Sequence, residues 1–435
     1  MKMHEQESRG CSRSEVSRRE FLKTSAAMSA AALVSSLGTS HIYAAGSDRI
    51  RVGLIGYGKR GSGAIRDCLG SSPGVVVTAV ADLFKDRAEA CRNDLKGLGE
   101  QFAIKDDAVY SGFDGYEKLC RRDDVDMVLI CTPPGFRPMQ LKCAIDAGKH
   151  VFMEKPVGVD PVGIRSVLAS AEEATKKGLG IVAGTQRRHQ APYLETIKRI
   201  HDGAIGDVVA GQVYWIGDYG YYPAVLRQPG WSDMEWQVRN WNYFTWLSGD
   251  HIVEQHVHNI DIMCWVMKGP PTKCLGLGGR QQRTGPEFGY IYDHFAVEYE
   301  FPGGVRWASY CRQNDKTAGR VSEAVAGTKG KSNCAGDIWG ETTYKFKGHN
   351  PNPYVQEHAD LIASIRAGKP LNEGTNVAVS TLVAIMGRMS AYTGREMNYS
   401  WVLKESKLDL APPVLDLGAS LPPVEVAIPG KTELI

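Results

Sequence analysis

Gly56-Tyr57-Gly58-Lys59-Arg60-Gly61 is a G-x-G-x-x-G run that closes the apolar stretch Ile50 to Ile55 and opens a helical one. Its glycines permit a tight turn and let backbone amides approach a pyrophosphate, with a helix N-terminus adding partial positive charge. Asp82, 21 residues past Gly61, ends the second apolar run, where a carboxylate accepts hydrogen bonds from an adenosine ribose. This points to an NAD-type cofactor. The carboxylate repels a 2′-phosphate, although Lys85 and Arg87 lie close enough to keep NADP open. Two further apolar runs end in Thr132-Pro133-Pro134 and in Met153-Glu154-Lys155-Pro156. Both ends should face the same cleft, because ligands of open α/β sheets bind beyond the carboxyl ends of strands.

A second constellation lies in Asp250 to Trp265, where His251, Glu254, His258, Asp261 and Trp265 follow spacings of three, four, three and four. On one helix these form a single stripe. Two imidazoles and a carboxylate on that face are also a conceivable metal set, but the spacing matches no zinc signature and no metal is assigned. His256 points off the stripe, as a core or rim histidine. Between the two constellations, Tyr214 to Trp246 is rich in aromatics, among them Trp215, Tyr219, Tyr221, Tyr222, Trp231, Trp236 and Trp241. Such rings stack on sugar faces or simply pack a core or a subunit interface. Arg187 and Arg188 follow the sixth strand and either reach the cleft or pair with acids across the domain junction.

The positioning elements follow from periodicity. Runs at Ile50 to Ile55, Val75 to Ala81, Met127 to Cys131, Val151 to Met153 and Ile181 to Ala183 alternate with amphipathic stretches such as Pro161 to Lys177. That pattern predicts an α/β domain over 48–188, a Rossmann doubly wound parallel sheet covered on both faces. Past Arg188 the segments are longer, aromatic and punctuated by glycine: Val208 to Ile216, His294 to Phe301 and Val305 to Tyr310. A second α+β domain with a mostly antiparallel sheet is expected over 189–400, with helices at Gln356 to Ala367 and Val377 to Gly394. The Pro-rich tail 401–435 has no pattern of its own and should lie against another surface.

The chain has 435 residues, 43% of them hydrophobic and 23% charged, with nine Trp, which suits two to three globular domains and excludes global disorder. Lys and Arg total 51 against 49 Asp and Glu, too even for a nucleic-acid or anionic-membrane footprint. Residues 1–45 stand apart. Ser17-Arg18-Arg19-Glu20-Phe21-Leu22-Lys23 precedes the mildly apolar run Thr24 to Leu37, and small residues lead to Ala44-Ala45, which resembles a twin-arginine signal. The run is too short for a membrane span. A periplasmic or exported protein is expected, and one that has already folded and loaded its cofactor. Without that segment the chain keeps 45 residues of each charge sign. Ten cysteines show no C-x-x-C and irregular spacing, so most read as small buried residues.

Taken together, the G-x-G-x-x-G run, the Thr132-Pro133 loop and Glu154-Lys155-Pro156 resemble the Gfo/Idh/MocA oxidoreductases over roughly residues 49 to 400. Glu-Lys-Pro is the most specific element. The resemblance implies cofactor contacts from Gly56, Tyr57, Gly58, Lys59, Arg60, Gly61, Asp82, Thr132, Pro133, Glu154 and Lys155. It assigns Lys155 to both the nicotinamide end and the reacting substrate oxygen. The family's Asp-x-x-x-His-x-x-Asp is matched by Glu254, His258 and Asp261, with Glu in place of the first Asp. By this resemblance His258 accepts the substrate proton with help from Glu254, while Asp261 orients the helix or His258. Arg188, Trp215 and Asp261 are candidate substrate contacts. The chain departs from the pattern where many members carry a histidine after the Thr-Pro loop, since Arg137 stands there.

The implied function is an exported NAD-dependent oxidoreductase acting on a secondary hydroxyl of a sugar, glycoside or polyol. The alternative is a glycosidase that oxidises a ring hydroxyl transiently, eliminates the aglycone, adds water and reduces back. The resemblance describes that branch as lacking the Glu-Lys-Pro lysine, so Lys155 weighs against it. A third possibility, a cofactor-retaining binding protein without turnover, is opposed by the intact Lys155 and His258. Expected partners are a carbohydrate, the twin-arginine export machinery and further copies of the chain, with no nucleic acid and no membrane span.

Overall fold

Every residue of Val75–Asp82 is buried, as are five of the six in Ile50–Ile55, so helices must cover both faces of these strands. In the computed structural model, which describes residues 49–217 and 223–435, that expectation holds. The signal segment, with Arg18 and Arg19, and the ring residues Tyr219, Tyr221 and Tyr222 lie outside the described residues. Strands β1 (Ile50–Ile55), β2 (Val75–Asp82), β3 (Val109–Ser111), β4 (Met127–Ile130), β5 (His150–Met153) and β6 (Ile181–Ala183) form a parallel sheet in the order β3-β2-β1-β4-β5-β6. This is the doubly wound Rossmann order, with its crevice between β1 and β4. The helix Pro161–Lys177 shows how locally its ends are written. Asp160 accepts the Gly163 amide at 2.6 Å, and Gly178 closes it at φ 65°, a left-handed position that suits glycine.

The second sheet has nine strands: β7 (Val208–Gly217), β8 (Lys273–Gly279), β9 (His294–Glu300), β10 (Arg306–Gln313), β11 (Arg320–Gly327), β12 (Gly330–Ser332), β13 (Asp337–Gly340), β14 (Tyr344–Lys345) and β15 (Met397–Asn398). Their order is β14-β13-β12-β11-β7-β10-β9-β8-β15, and the pairs are antiparallel except β7 with β10. Side chains alternate as a half-buried sheet requires. Trp307, Ser309, Cys311 and Gln313 of β10 point inward, whereas Tyr310 faces out beside Tyr214.

The structure corrects three sequence expectations. The stripe from His251 to Trp265 is not one helix: it comprises His251–Glu254 and Val257–Val266, broken at Gln255 and His256. The break turns His256 into the core, where it is fully buried and its Nε2 meets Ser309 Oγ at 2.8 Å. The tail begins later than residue 401, because Tyr399–Lys404 is helical, capped by the Asn398 side chain. The surface it then covers belongs to its own chain. Leu410, Leu415, Leu417 and Leu421 pack on a cluster containing Phe84, Phe136, Met234, Tyr243, Phe244 and Trp246. Finally, the two sheets divide between β6 and β7, but the packing does not. Helices Pro353–Arg366 and Gly374–Thr393 lie against Lys59–Ser71 and Pro161–Lys177, and Ile181 exchanges backbone bonds with Leu371 and Glu373. The exposed edge at β6 is covered by chain from the far end of the sequence.

Candidate active site

The carboxyl ends of β1, β2, β4 and β5 open into a cleft of about 1270 Å³ whose other wall comes from the second sheet and from residues 223–258. At its floor the three glycines do different work. Gly56 sits at φ 93°, and a Cβ there would stand 2.9 Å from the Thr132 amide. A Cβ on Gly61 would collide with the Gly56 carbonyl, so Gly61 lets the helix Lys59–Ser71 dock beneath the turn. Gly58 has nothing within 4 Å in the direction of a Cβ and lines the cleft, leaving the helix N-terminus uncovered. That is a cradle suited to a pyrophosphate. Tyr57 contributes its backbone only. Its amide donates to Asp82 at 2.7 Å, and its ring turns away to Asp94.

Asp82 also accepts the Phe84 amide at 2.9 Å, so two backbone donors hold the carboxylate at the mouth of β2. Burial pushes its pKa up, and those two amides oppose the shift. Lys59, Arg60, Thr132, Pro133 and Glu154 line the same cleft. Arg60 is committed within the protein: Nε donates to Glu154 at 2.5 Å, and the same guanidinium reaches Asp67 and Glu357. Thr132 Oγ1 donates to Gln140 at 2.5 Å.

Lys155 is buried at the end of β5, and its Nζ donates to the Glu254 carbonyl at 2.5 Å and lies 3.2 Å from the Glu254 carboxylate. Gln255 donates its side-chain amide to the other carboxylate oxygen of Glu254. The helix break therefore has a use, since it exposes the Glu254 carbonyl to a cation from the first sheet. His258 follows on the next turn, stacked on Trp215 with centroids 5.5 Å apart, and both line the cleft. Burial, then the charges of Lys155 and Arg187, drive the His258 pKa well below its ordinary value, so the imidazole is neutral. His251 lines the cleft as well, and burial pushes it down to about 3.

Not every expected residue arrives. Arg188 and Asp261 form a bidentate pair, Nη2 to Oδ1 at 2.8 Å and Nε to Oδ2 at 2.8 Å, and Ser380 adds a bond to Asp261. Neither is among the residues lining the cleft, and each neutralises the other's buried charge. Arg187 pairs with Glu323 at 2.5 Å. Arg137 is buried and donates to the Pro156 carbonyl at 2.6 Å, bracing the Glu-Lys-Pro loop. Of the aromatic segment, Trp215, Trp241 and Tyr243 line the cleft, whereas Phe244 and Trp246 are core.

One participant was not anticipated. Arg239, at the end of the helix Asp233–Arg239, places its guanidinium 3.8 Å from the ring centroid of Phe84, two residues past Asp82, and lines the cleft. Nothing in the spacing signals this pairing, because it joins the mouth of β2 to a segment far along the chain.

Comparison with known proteins agrees with this architecture. The family model described as oxidoreductase family, NAD-binding Rossmann fold, of the Gfo/Idh/MocA type matches residues 50–181, and the GFO/IDH/MocA C-terminal domain matches 193–332. A twin-arginine translocation signal matches residues 15–35, the mark of an exported protein. The chain is 30% identical over 246 residues to glycosyl hydrolase family 109 protein 4 of Phocaeicola vulgatus, covering 55% of this chain and 46% of that protein. It thus spans about half the length of that relative. It is 24% identical to trans-1,2-dihydrobenzene-1,2-diol dehydrogenase of Bos taurus, covering 65% of this chain and 73% of that one. Its fold is shared with an aldose-aldose oxidoreductase of Caulobacter crescentus at a TM-score of 0.64 and 19% identity, covering 80% of this chain and 99% of the other.

Proposed function

The chain belongs to the Gfo/Idh/MocA oxidoreductase family, and from that premise we propose that it is an exported NAD-dependent oxidoreductase acting on a secondary alcohol of a sugar, glycoside or polyol. The observation that carries this reading is the convergence of Lys155, Glu254 and His258 on one cleft beside the Gly58 cradle. Gly56 to Lys59 would hold the pyrophosphate, Asp82 the adenosine ribose, and Thr132 and Pro133 the chain towards the nicotinamide. The bound cofactor supplies the hydride acceptor and, in reverse, the donor.

The protein's part is to hold the alcohol and move its proton. Lys155, oriented by Glu254, holds the alcohol oxygen and stabilises the negative charge that grows on it. His258, kept neutral by burial and by adjacent cations, takes the hydroxyl proton. Trp215 backs the imidazole and offers a ring edge to the substrate, and Asn240, Asn242 and Gln186 add hydrogen-bonding groups to the wall. Arg239 and Phe84 close the adenosine end, braced from outside by the tail, where Ala419 accepts the Met234 amide. This cover suits a cofactor loaded before export and released slowly.

A second reading, transient oxidation leading to net glycoside cleavage, is supported by His251, a second neutral imidazole in the same cleft, and by the names of several relatives. Elimination needs one more proton-handling group than simple oxidation does, and His251 supplies it. The exposed apolar face bearing Leu275, Leu277 and Tyr310 supports pairing with a second copy through the open side of the sheet.

The deciding experiment incubates the purified mature protein with sugars, polyols and chromogenic glycosides while following absorbance of the reduced nicotinamide and aglycone release. Reduced cofactor with a ketone product supports the oxidoreductase. Aglycone release without net reduction supports the hydrolase, and neither signal overturns both.

A further inference from the structure

Arg388 lies in the helix Gly374–Thr393 and is about 1% exposed. A guanidinium carries five N–H donors. Among the described residues, Arg388 makes one hydrogen bond, Nη1 to the Gly249 carbonyl at 2.9 Å, and forms no ion pair. Its two acidic neighbours act on it only through space, because their hydrogen bonds go elsewhere. Asp250 accepts the His251 and Tyr292 amides and the Tyr392 hydroxyl, and Asp160 accepts the Gly163 and Leu410 amides. A buried cation left in that condition is costly unless something else meets it.

Within the protein it meets the Tyr392 ring, whose centroid lies 6.0 Å from the Arg388 Cζ, and it also borders a second cavity of about 570 Å³, lined by different residues from the cofactor cleft. Trp246, Tyr290 and Met389 form one wall, and Leu410, Pro412 and Val426 of the tail form the other. Asp409, Glu425, Lys431 and Glu433 also border it, but all four are exposed on the tail, so the buried charge is that of Arg388. The size, and a largely apolar wall in which the buried Gln237, Thr245 and Thr393 and the partly buried Tyr392 stand beside Arg388 as polar groups, are those of a small-molecule site.

We propose that this cavity binds a small organic carboxylate, its charge taken by the Arg388 fork and its hydrocarbon or aryl body packed between Trp246 and the tail. A carboxylate fits because its two oxygens match the planar guanidinium, and the apolar walls exclude a strongly hydrated inorganic anion. The inference is independent of the reaction in the other cleft.

The test is calorimetric titration of the purified mature, cofactor-loaded protein with hexanoate, and with hexanol as the uncharged probe. Hexanoate should bind saturably at one site, with hexanol weaker by about tenfold or more, because charge-assisted hydrogen bonds are about twice as strong as neutral ones. Arg388→Met should abolish hexanoate binding. That change also removes the Gly249 bond, so Val426→Trp, which fills the cavity from the tail, supplies the second reading and should weaken hexanoate by a similar factor. Absence of saturable binding, equal binding of hexanol, or hexanoate affinity unchanged in Val426→Trp would overturn the proposal.

Discussion

Lys155 donates to the backbone carbonyl of Glu254 at 2.5 Å, so the Glu-Lys-Pro loop of the first sheet is joined to the break between two helices of the second. The cation is thereby aimed into the cleft rather than paired at the surface. Lys155→Ala and His258→Ala should each keep the bound cofactor but lose roughly 10²- to 10⁴-fold in kcat, the range of positioned acid-base groups. Single-turnover hydride transfer, with cofactor content measured on the same samples, checks this. Wild-type turnover in either variant would remove that residue from the mechanism.

Asp82→Ala should weaken NAD by about 10- to 100-fold, the scale of losing charge-assisted hydrogen bonds, and narrow its preference over NADP. The substitution also frees the Tyr57 and Phe84 amides that Asp82 now holds. Paired titrations of the two cofactors decide it: unchanged constants for both would take Asp82 out of the ribose site.

Arg239→Ala should speed NAD release several-fold, since a cation over an aromatic face contributes about 0.5–2 kcal/mol. The readout is the rate at which bound NAD is lost on dilution, followed by nucleotide analysis. A release rate equal to wild type would show that Arg239 does not close the adenosine end.

His189 Nδ1 lies 2.6 Å from Asp360, with Glu373 3.2 Å from its other nitrogen, joining the turn after β6 to the helix Pro353–Arg366 and to the start of the helix Gly374–Thr393. Burial alone would lower its pKa, but the two carboxylates raise it to about 9. The folded value exceeds the unfolded one near 6.5, so this group's stabilisation is fully present below pH 6.5 and is lost as pH rises through about 9. The Tm gap between wild type and His189→Gln should therefore be largest below pH 6.5 and shrink towards pH 9. A gap that does not vary with pH would refute the linkage.

Replacing Arg18 and Arg19 by Lys should strand a folded, NAD-loaded protein in the cytoplasm, because the paired arginines are read by a receptor and the cofactor cradle lies outside that segment. Fractionation with cofactor analysis tests this, and export undiminished in the double variant would contradict it.

The doubly wound sheet was legible because strands covered on both faces are written as continuous apolar runs, and the cofactor loop because Gly56 and Gly61 answer steric demands of the turn while Gly58 leaves the helix N-terminus open to the cleft. Lys155 and His258 were legible as motif positions at strand and helix ends. What periodicity could not show is contact between distant segments. The stripe from His251 to Trp265 keeps helical spacing through a break, since spacing records which face a residue occupies and not whether backbone hydrogen bonds continue past Gln255. Arg188 and Asp261 look like cleft residues until the fold brings them within 2.8 Å, where pairing costs less than leaving two buried charges apart. Arg239 on Phe84, Arg388 in its cavity and the tail over the second cluster are likewise decided by tertiary packing, because each joins groups that no local pattern relates.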